Sequence, residues 1–102
     1  MSDARLDPII HAPARLQIMA VLAGVQDAEF AVLREAVQVS DSVLSKHLAQ
    51  LAEAGYLRLR KAALGGRQRT WASLTRAGRQ AFASHVKALQ ALAAIVDQMA
   101  AE

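Results

Sequence analysis

The chain of 102 residues contains no cysteine, and its apolar stretches are all far too short to span a bilayer. The absence of cysteine excludes disulfides, thiolate metal ligands and thiol redox sensing. Residues 1–7 carry Asp3 and Asp7 and lack an apolar segment, so no secretory signal is predicted there. Hydrophobic residues make up 54% of the composition, which indicates one folded domain over residues 1–102 that we expect to be soluble and cytoplasmic.

Acidic residues are also absent from residues 58–79, although that segment holds seven of the twelve Lys and Arg residues. These are Arg58, Arg60, Lys61, Arg67, Arg69, Arg76 and Arg79. The segment therefore has a formal charge of +7, whereas the other eighty residues sum to −4. Clustered positive charge is the usual footprint of a polyanionic partner, so nucleic acid is favoured over a basic face that meets only solvent.

Helix-start and helix-stop residues predict a first helical region over residues 6–24. Pro8 and Pro13 each stand where a helix can begin, and Gly24 stands where the second helix ends. The helix after Pro13 is apolar on more than one side. We expect it to pack against both the core and a partner subunit, with Leu16 at the interface.

Two further helices, over residues 29–38 and 40–55, are predicted to form a helix-turn-helix. The connection between them is about three residues long, as is typical of this motif. Ser40 is placed to cap the second helix, and Gly55 followed by Tyr56 is placed to end it in a Schellman-type turn.

The sequence of residues 56–74 predicts a β-hairpin. Residues 57–60 alternate strictly between leucine and arginine, which indicates a strand with one buried face, and residues 64–69 form a glycine-containing basic tip. A helix-turn-helix followed at once by a basic hairpin is the order of a winged helix. The expected fold is therefore mainly α with a small β-hairpin: helix, helix, recognition helix, strand, wing, strand and long C-terminal helix.

The last predicted helix, over residues 75–100, is roughly 37 Å long and exceeds what one small core can cover. Apolar residues recur along it at spacings of three and four, like a coiled-coil seam, with one histidine among them. We expect this seam to pair with a second copy of the chain, and a small-molecule effector to fit the cleft between the first and last helices of the dimer. The seam residues are Phe82, His85, Leu89, Leu92, Val96 and Met99.

Three stretches of sequence resemble the winged-helix transcription regulators of the MarR and ArsR groups. Their recognition region is resembled by VSDSVLSKHL at residues 39–48 and EAGYL at residues 53–57. The second strand of their wing and the start of their last helix are resembled by RTWASLTRAGR at residues 69–79. The resemblance covers residues 6–90 and is nearest to minimal, single-domain regulators related to MarR. It implies a DNA-binding transcription regulator.

Two departures from the pattern of these relatives concern the DNA contacts. Val43 stands where many relatives carry a hydroxyl residue, which removes one hydrogen bond to DNA. The predicted wing also has no acidic residue of the kind that often braces a wing arginine in MarR proteins.

Side chains on the outer face of the recognition helix are candidates for major-groove contacts. Placing Leu44, Leu48 and Leu51 inward, at about 100° per residue, directs small and basic side chains outward. The wing arginines are expected to enter a minor groove or to straddle its phosphates. The predicted DNA-binding residues are Ser40, Asp41, Ser42, Ser45, Lys46, His47, Arg60, Lys61, Arg67, Gln68 and Arg69.

Four side chains allow two interpretations. Asp41 accepts from a cytosine amino group or stabilises the helix dipole, and His47 contacts a phosphate or packs at the edge of the core. For Trp71, packing in the core or a dimer is favoured over base stacking. For His85, a hydrogen-bonded position in the interface is favoured over a ligand or a pH sensor.

The sequence predicts neither an enzyme nor a metal or cofactor site. Ser45 and His47 stand two residues apart on a helix and diverge, so they cannot pair as nucleophile and base. Three histidines without cysteine are too few for an ArsR-type metal site. The leading hypothesis is a homodimeric repressor that binds a palindromic site in double-stranded DNA. The alternative is a winged-helix module that binds an acidic protein in a larger complex.

Overall fold

The computed structural model describes residues 5–101, which form five helices and three strands. The helices are α1 (Pro8–His11), α2 (Pro13–Ala23), α3 (Phe30–Val37), α4 (Asp41–Glu53) and α5 (Arg76–Ala101). The strands are β1 (Ala28–Glu29), β2 (Leu57–Leu64) and β3 (Arg67–Leu74). This is the mainly helical winged-helix fold that the sequence predicts, with β1 as an unpredicted addition.

Within residues 5–101, no helix combines the length and the apolarity needed to cross a membrane. The sequence prediction about a secretory signal falls mostly on residues 1–4, which lie outside the described part of the chain.

The strands form an antiparallel sheet in the order β1-β3-β2. Strands β2 and β3 pair along their whole length, and Gly65 and Gly66 join them with φ angles of 60° and 78°, as a type I′ hairpin turn requires. The strict alternation of β2 predicts one buried face, but Leu57 is buried whereas Leu59 is 40% exposed. That part of the prediction is wrong because the hairpin extends past the core as a wing.

The hydrophobic core lies where α2 meets the other helices and the sheet. Helix α2 contributes Ile18, Met19 and Leu22, none of which has exposed surface. Leu16, on the face of α2 predicted for a partner subunit, is half-buried and packs against the same core. The other helices and the sheet contribute Ile10, Leu33, Val37, Leu44, Leu48, Leu51, Leu57, Ala72 and Leu74.

Local hydrogen bonds fix both ends of α4. Ser40 caps its start, where Ser40 Oγ accepts from the backbone N–H of Val43 at 3.3 Å. At its end Gly55 leads into Tyr56, whose backbone N–H donates to the carbonyl of Leu51 at 3.0 Å in the predicted Schellman turn. These two ends set the direction in which the recognition helix leaves the core and in which the wing begins.

Gln38, at the turn between α3 and α4, has a φ of 58°. This left-handed conformation costs an ordinary residue about 1–2 kcal/mol and costs glycine almost nothing. We expect Gln38→Gly to raise the free energy of unfolding by about 0.5–1 kcal/mol. This net gain is smaller than the strain relieved, because glycine loses more conformational entropy than glutamine on folding. Urea denaturation measures the change, and Gln38→Ala, which keeps the Cβ, should show no such gain. Lower stability of Gln38→Gly would contradict the expectation.

His85 lies inside the protomer, so its predicted place in a dimer seam is wrong. The residue has no exposed surface, because α1 and the turn before it cover this side of α5. The backbone N–H of Asp7 donates to His85 Nδ1 at 2.9 Å, and His85 Nε2 is 3.4 Å from His11 Nδ1. A side chain without accessible surface cannot contact a second copy of the chain.

The hydrogen bonds around His85 require its neutral form. Because Nδ1 accepts from Asp7, the ring proton is on Nε2, where it is directed to His11. The Asp7 carboxylate also accepts from Tyr56 Oη at 2.5 Å, and this hydrogen bond, with burial as a smaller cause, raises the pKa of Tyr56 to about 12. The cluster therefore ties the start of α1 to α5 and to the end of the recognition helix.

The same cluster predicts a loss of stability in mild acid. Burial and, to a smaller extent, the neighbouring His11 lower the pKa of His85 below 6.5, against the opposing effect of the Asp7 carboxylate. Because the unfolded chain binds this proton more readily than the folded one, stability is expected to fall as the pH drops through about 6.5. The urea midpoint should therefore be lower at about pH 5.5 than at about pH 7.5. His85→Gln, which cannot titrate, should reduce this pH dependence, and an unchanged dependence would contradict the assignment.

Helix α5 extends beyond the rest of the protein. The molecule measures 61 × 26 × 20 Å, and every described residue from 90 to 101 is exposed. Of the seam residues other than His85, Phe82 and Leu89 are half-buried, and Phe82 packs against the core. Leu92, Val96 and Met99 are 48%, 62% and 69% exposed. Their pairing with a second copy stays a prediction.

Candidate nucleic-acid interface

The outer face of α4 is polar and accessible. Ser42, Ser45 and Lys46 are exposed because Leu44 and Leu48, on the opposite face, are buried in the core. Ser40 is exposed at the start of the helix, where its hydroxyl also lies 3.3 Å from that of Ser42. The geometry leaves room for a base edge along this face, and DNA contact by these residues stays a prediction.

A groove of about 640 Å³ lies between the recognition helix and the wing. Asp41 and Ser45 of α4 line one side, and Arg67, Gln68 and Arg69 of β3 line the other. Its floor includes residues 30, 31 and 34 of α3. The structure therefore brings together predicted residues that are more than twenty positions apart in the sequence.

Arg69 is held in this groove by a carboxylate outside the wing. Glu29 Oε1 accepts from Arg69 Nη1 at 2.8 Å, and the Glu29 side chain is 18% exposed. Glu29 is in β1 opposite Trp71, and Trp71 and Arg69 lie two residues apart on β3 and so on the same face of the sheet. The brace that the wing sequence lacks is thus supplied by the strand that the sequence did not predict.

Arg60 and Trp71 form a cross-strand pair at the base of the wing. The Arg60 guanidinium lies 5.8 Å from the centroid of the Trp71 ring, within the range of a cation–π contact, and 3.4 Å from the Asp27 carboxylate. Trp71 is half-buried. These contacts favour packing over base stacking for Trp71, and they hold Arg60 at the surface of the wing base. Lys61, next in the strand, is exposed.

Asp41, the one acidic residue among the predicted contacts, pairs with Arg34. Asp41 Oδ1 accepts from Arg34 Nη1 at 2.8 Å, with both side chains well exposed. The pairing offsets the repulsion that an isolated carboxylate would exert on a phosphate. Arg34 also lines the groove, and sequence analysis missed it because only the fold places the last turn of α3 beside the first turn of α4.

His47 points to the edge of α4 away from the wing. It is half-buried, and its Nδ1 lies 3.3 Å from Arg15 Nη1. Arg15 also donates to Gln50 Oε1 at 2.8 Å and to the backbone carbonyl of Ile9. This network joins α4 to α1 and α2, which favours packing over a phosphate contact for His47. Arg15 is a second basic residue near the recognition helix that the sequence did not single out.

The cations of the site fall into two groups. Arg34, Arg60 and Arg69 each have a carboxylate partner within 4 Å, whereas Lys46, Lys61 and Arg67 have none among the residues that the structure describes. Paired arginines are held in position, and the others remain available for new ion pairs. A polyanion in the groove would meet both kinds.

Comparison with known proteins identifies the family and the fold of the chain. Residues 14–93 match the model of a family described as a winged helix DNA-binding domain. An uncharacterized protein of Methanocaldococcus jannaschii is 33% identical over 78 residues, which cover 76% of this chain and 85% of that protein.

Two solved structures show the same fold. A transcriptional regulator homologue from Pyrococcus horikoshii superimposes with a TM-score of 0.81 at 25% identity, over 87% of this chain and 88% of the other. A MarR family transcriptional regulator from Silicibacter pomeroyi has a TM-score of 0.67 at 21% identity, over 83% and 56% of the two chains. The family and the fold are those of non-enzymatic regulators. The chain therefore belongs to the winged helix DNA-binding domain family, and its fold is the one seen in these regulators, a MarR family member among them.

Proposed function

We propose that the protein is a homodimeric transcription repressor that binds a palindromic site in double-stranded DNA. The observation that carries this proposal is the groove that Asp41 and Ser45 of α4 form with Arg67, Gln68 and Arg69 of the basic wing. An α-helix fits the major groove, and a hairpin tip that carries arginines suits the neighbouring minor groove. One protomer would thus occupy two adjacent grooves of the same duplex.

The side chains divide into base contacts and backbone contacts. Ser42, Ser45 and Lys46 would meet base edges, with lysine directed to guanine acceptors or to a nearby phosphate. Arg67 would enter the minor groove, and the braced Arg69 would contact the phosphates at its edge. Other predicted contacts, which would mainly position the protein, are those of Ser40, Arg60, Lys61 and Gln68. Asp41 and His47 are instead held within the protomer, by Arg34 and Arg15.

The distal half of α5 supports the homodimer. Leu92, Ile95, Val96 and Met99 form an exposed apolar stripe at helical spacing on a segment that no other element covers. A second copy of α5 would bury the stripe and place two recognition helices about one helical turn apart on the DNA. A dimer bound to a site that overlaps a promoter would exclude polymerase, and the proposal therefore includes repression. As such a regulator the protein would act in the cytoplasm, without enzymatic activity or a cofactor.

A titration tests the DNA-binding proposal. Fluorescence anisotropy is measured with a labelled duplex from upstream of the protein's own gene and with a scrambled duplex, at several salt concentrations. We expect preference for the native duplex and a decrease in the logarithm of affinity of about 0.9 for each neutralised phosphate per tenfold increase in salt. Equal, weak binding to every duplex, including pools from site selection, would favour a module that binds an acidic protein.

The oligomeric state tests the role of α5. We expect the wild-type protein to have twice the chain mass of 10.9 kDa in sedimentation equilibrium, and Val96→Glu to have the mass of one chain. The charge would be buried in the interface of the dimer but lies on an exposed position of the protomer, so folding should be preserved. Ala94→Glu, about 160° around the helix, should remain dimeric. A wild-type monomer at micromolar concentration would contradict the proposal.

A small-molecule effector stays a prediction from the sequence. The cleft expected for it would form between α1 and α5 of a dimer. In the protomer the contacts of Asp7 and His11 with His85 already join these two helices. An effector that separates them would change the angle between the recognition helices, and thermal stabilisation in a metabolite screen would detect it.

A further inference from the structure

Val43 is an apolar residue on the polar side of the recognition helix. It lies in the first turn of α4 and is 41% exposed, although valine ordinarily turns to the core. It stands about 100° from the buried Leu44 and about 60° from Lys46. The core therefore does not account for this side chain, which lies beside the residues that face the DNA in the proposed function.

The position of Val43 is fixed before any ligand binds. Its backbone N–H donates to Ser40 Oγ at 3.3 Å, so the turn that carries it is capped. A β-branched side chain in a helix has essentially one χ1 rotamer, so its methyl groups are presented with little further loss of entropy. Val43 is thus a rigid apolar surface.

The apolar group on base edges in the major groove is the C5 methyl of thymine. The other features of the four base pairs there are hydrogen-bond donors and acceptors, which valine cannot satisfy. Burial of Val43 against a thymine methyl would remove apolar surface of both partners from water. Burial against any other base edge would leave a polar group without its water.

We propose that Val43 is a specificity-determining residue that contacts the C5 methyl of one thymine in each half-site. The inference rests on the proposed function, because it requires α4 to lie in a major groove. A hydroxyl residue at this position, as in many relatives, would bond to a base edge or phosphate. Valine instead selects thymine at one position without a hydrogen bond.

Deoxyuridine substitution tests the contact, because deoxyuridine differs from thymidine only by the missing methyl. In the duplex recovered by site selection, each thymine is replaced singly, and the affinities of the wild type and Val43→Ala are compared. For the wild type we expect one pair of symmetry-related thymines at which each deoxyuridine lowers affinity by about threefold to fivefold. For Val43→Ala the same replacement should have almost no effect. Val32→Ala removes the same atoms from an exposed valine of α3, outside the recognition helix, and should retain the wild-type pattern.

The outcomes separate the two proposals. If the wild type selects a duplex but the deoxyuridine penalty is absent or persists unchanged in Val43→Ala, the assignment of Val43 is wrong and the proposed function stands. If the wild type selects no duplex at all, the proposed function fails and the assignment of Val43 fails with it.

Discussion

Replacement of both Arg67 and Arg69 by alanine is expected to lower the affinity for the preferred duplex by at least about 30-fold. Each arginine contact to DNA contributes about 1–3 kcal/mol, and about 1.4 kcal/mol corresponds to a factor of ten. The loss of Arg69 has an additional effect, because it leaves the Glu29 carboxylate without its partner beside the phosphates. Anisotropy titration at about 100 mM salt measures the change.

A matched double variant separates a local effect from the effect of net charge. Arg76→Ala/Lys87→Ala removes the same two charges from exposed positions of α5 that do not line the groove. Its affinity should stay within about threefold of the wild type, since exposed charges beyond about 10 Å are screened. The wing variant should also reduce the salt slope by about 0.9 for each phosphate that it no longer neutralises. Equal losses in the two variants would mean that the wing is not the contact surface.

Gly78→Ala is expected to destabilise the fold by about 2–4 kcal/mol. The added Cβ would lie 2.1 Å from the backbone carbonyl oxygen of Tyr56, a distance that requires the backbone to move. That oxygen accepts from the N–H of Thr75, whose hydroxyl caps α5 through Gly78, so the displacement would disturb the junction between the recognition helix and α5. Thermal unfolding should show a midpoint lower by roughly 10–25 °C.

Gly24→Ala is the control for this substitution. The nearest atom to its added Cβ is the carbonyl oxygen of Val21 at 3.7 Å, an ordinary contact, and Gly24 has a right-handed conformation. Alanine should therefore leave stability unchanged or raise it by about 0.4–1 kcal/mol. If Gly78→Ala were as stable as Gly24→Ala, α5 would not approach Tyr56 as closely as described.

Structural features that depend only on residues close together in the sequence were predicted correctly. The cap at Ser40 and the Schellman turn at Gly55 depend on residues within one or two turns of the chain, and both are present. The outward face of α4 follows from the spacing of its leucines, so Ser42 and Lys46 are exposed as expected. Local chemistry and helical periodicity determine these features.

Features that depend on contacts between distant segments were missed. Strand β1 has only two residues and exists because Glu29 pairs with Trp71, more than forty positions away. The coiled-coil-like spacing of apolar residues along α5 correctly placed His85 on an apolar face. It could not show whether that face is buried by α1 of the same chain or by another subunit. Sequence analysis also missed Arg34 and Arg15, since their partners Asp41 and Gln50 are brought close only by the fold.

Two of the predicted site residues, Arg69 and Asp41, form ion pairs that change their expected roles. The sequence treats Arg69 and Asp41 as independent charges. In the structure Arg69 is positioned by Glu29, and Asp41 is neutralised by Arg34. The basic character of the site thus depends on a few cations that have no carboxylate partner among residues 5–101, with Arg67 and Lys46 among them.

Site selection from a random duplex library tests the central claim most directly. The purified full-length protein is incubated with the library at about 150 mM salt, and bound duplexes are sequenced over several rounds. The account predicts enrichment of one inverted repeat whose half-sites are centred about 10 base pairs apart, with protection of that repeat in footprinting. Bound duplexes with the same sequence composition as the starting library would contradict it.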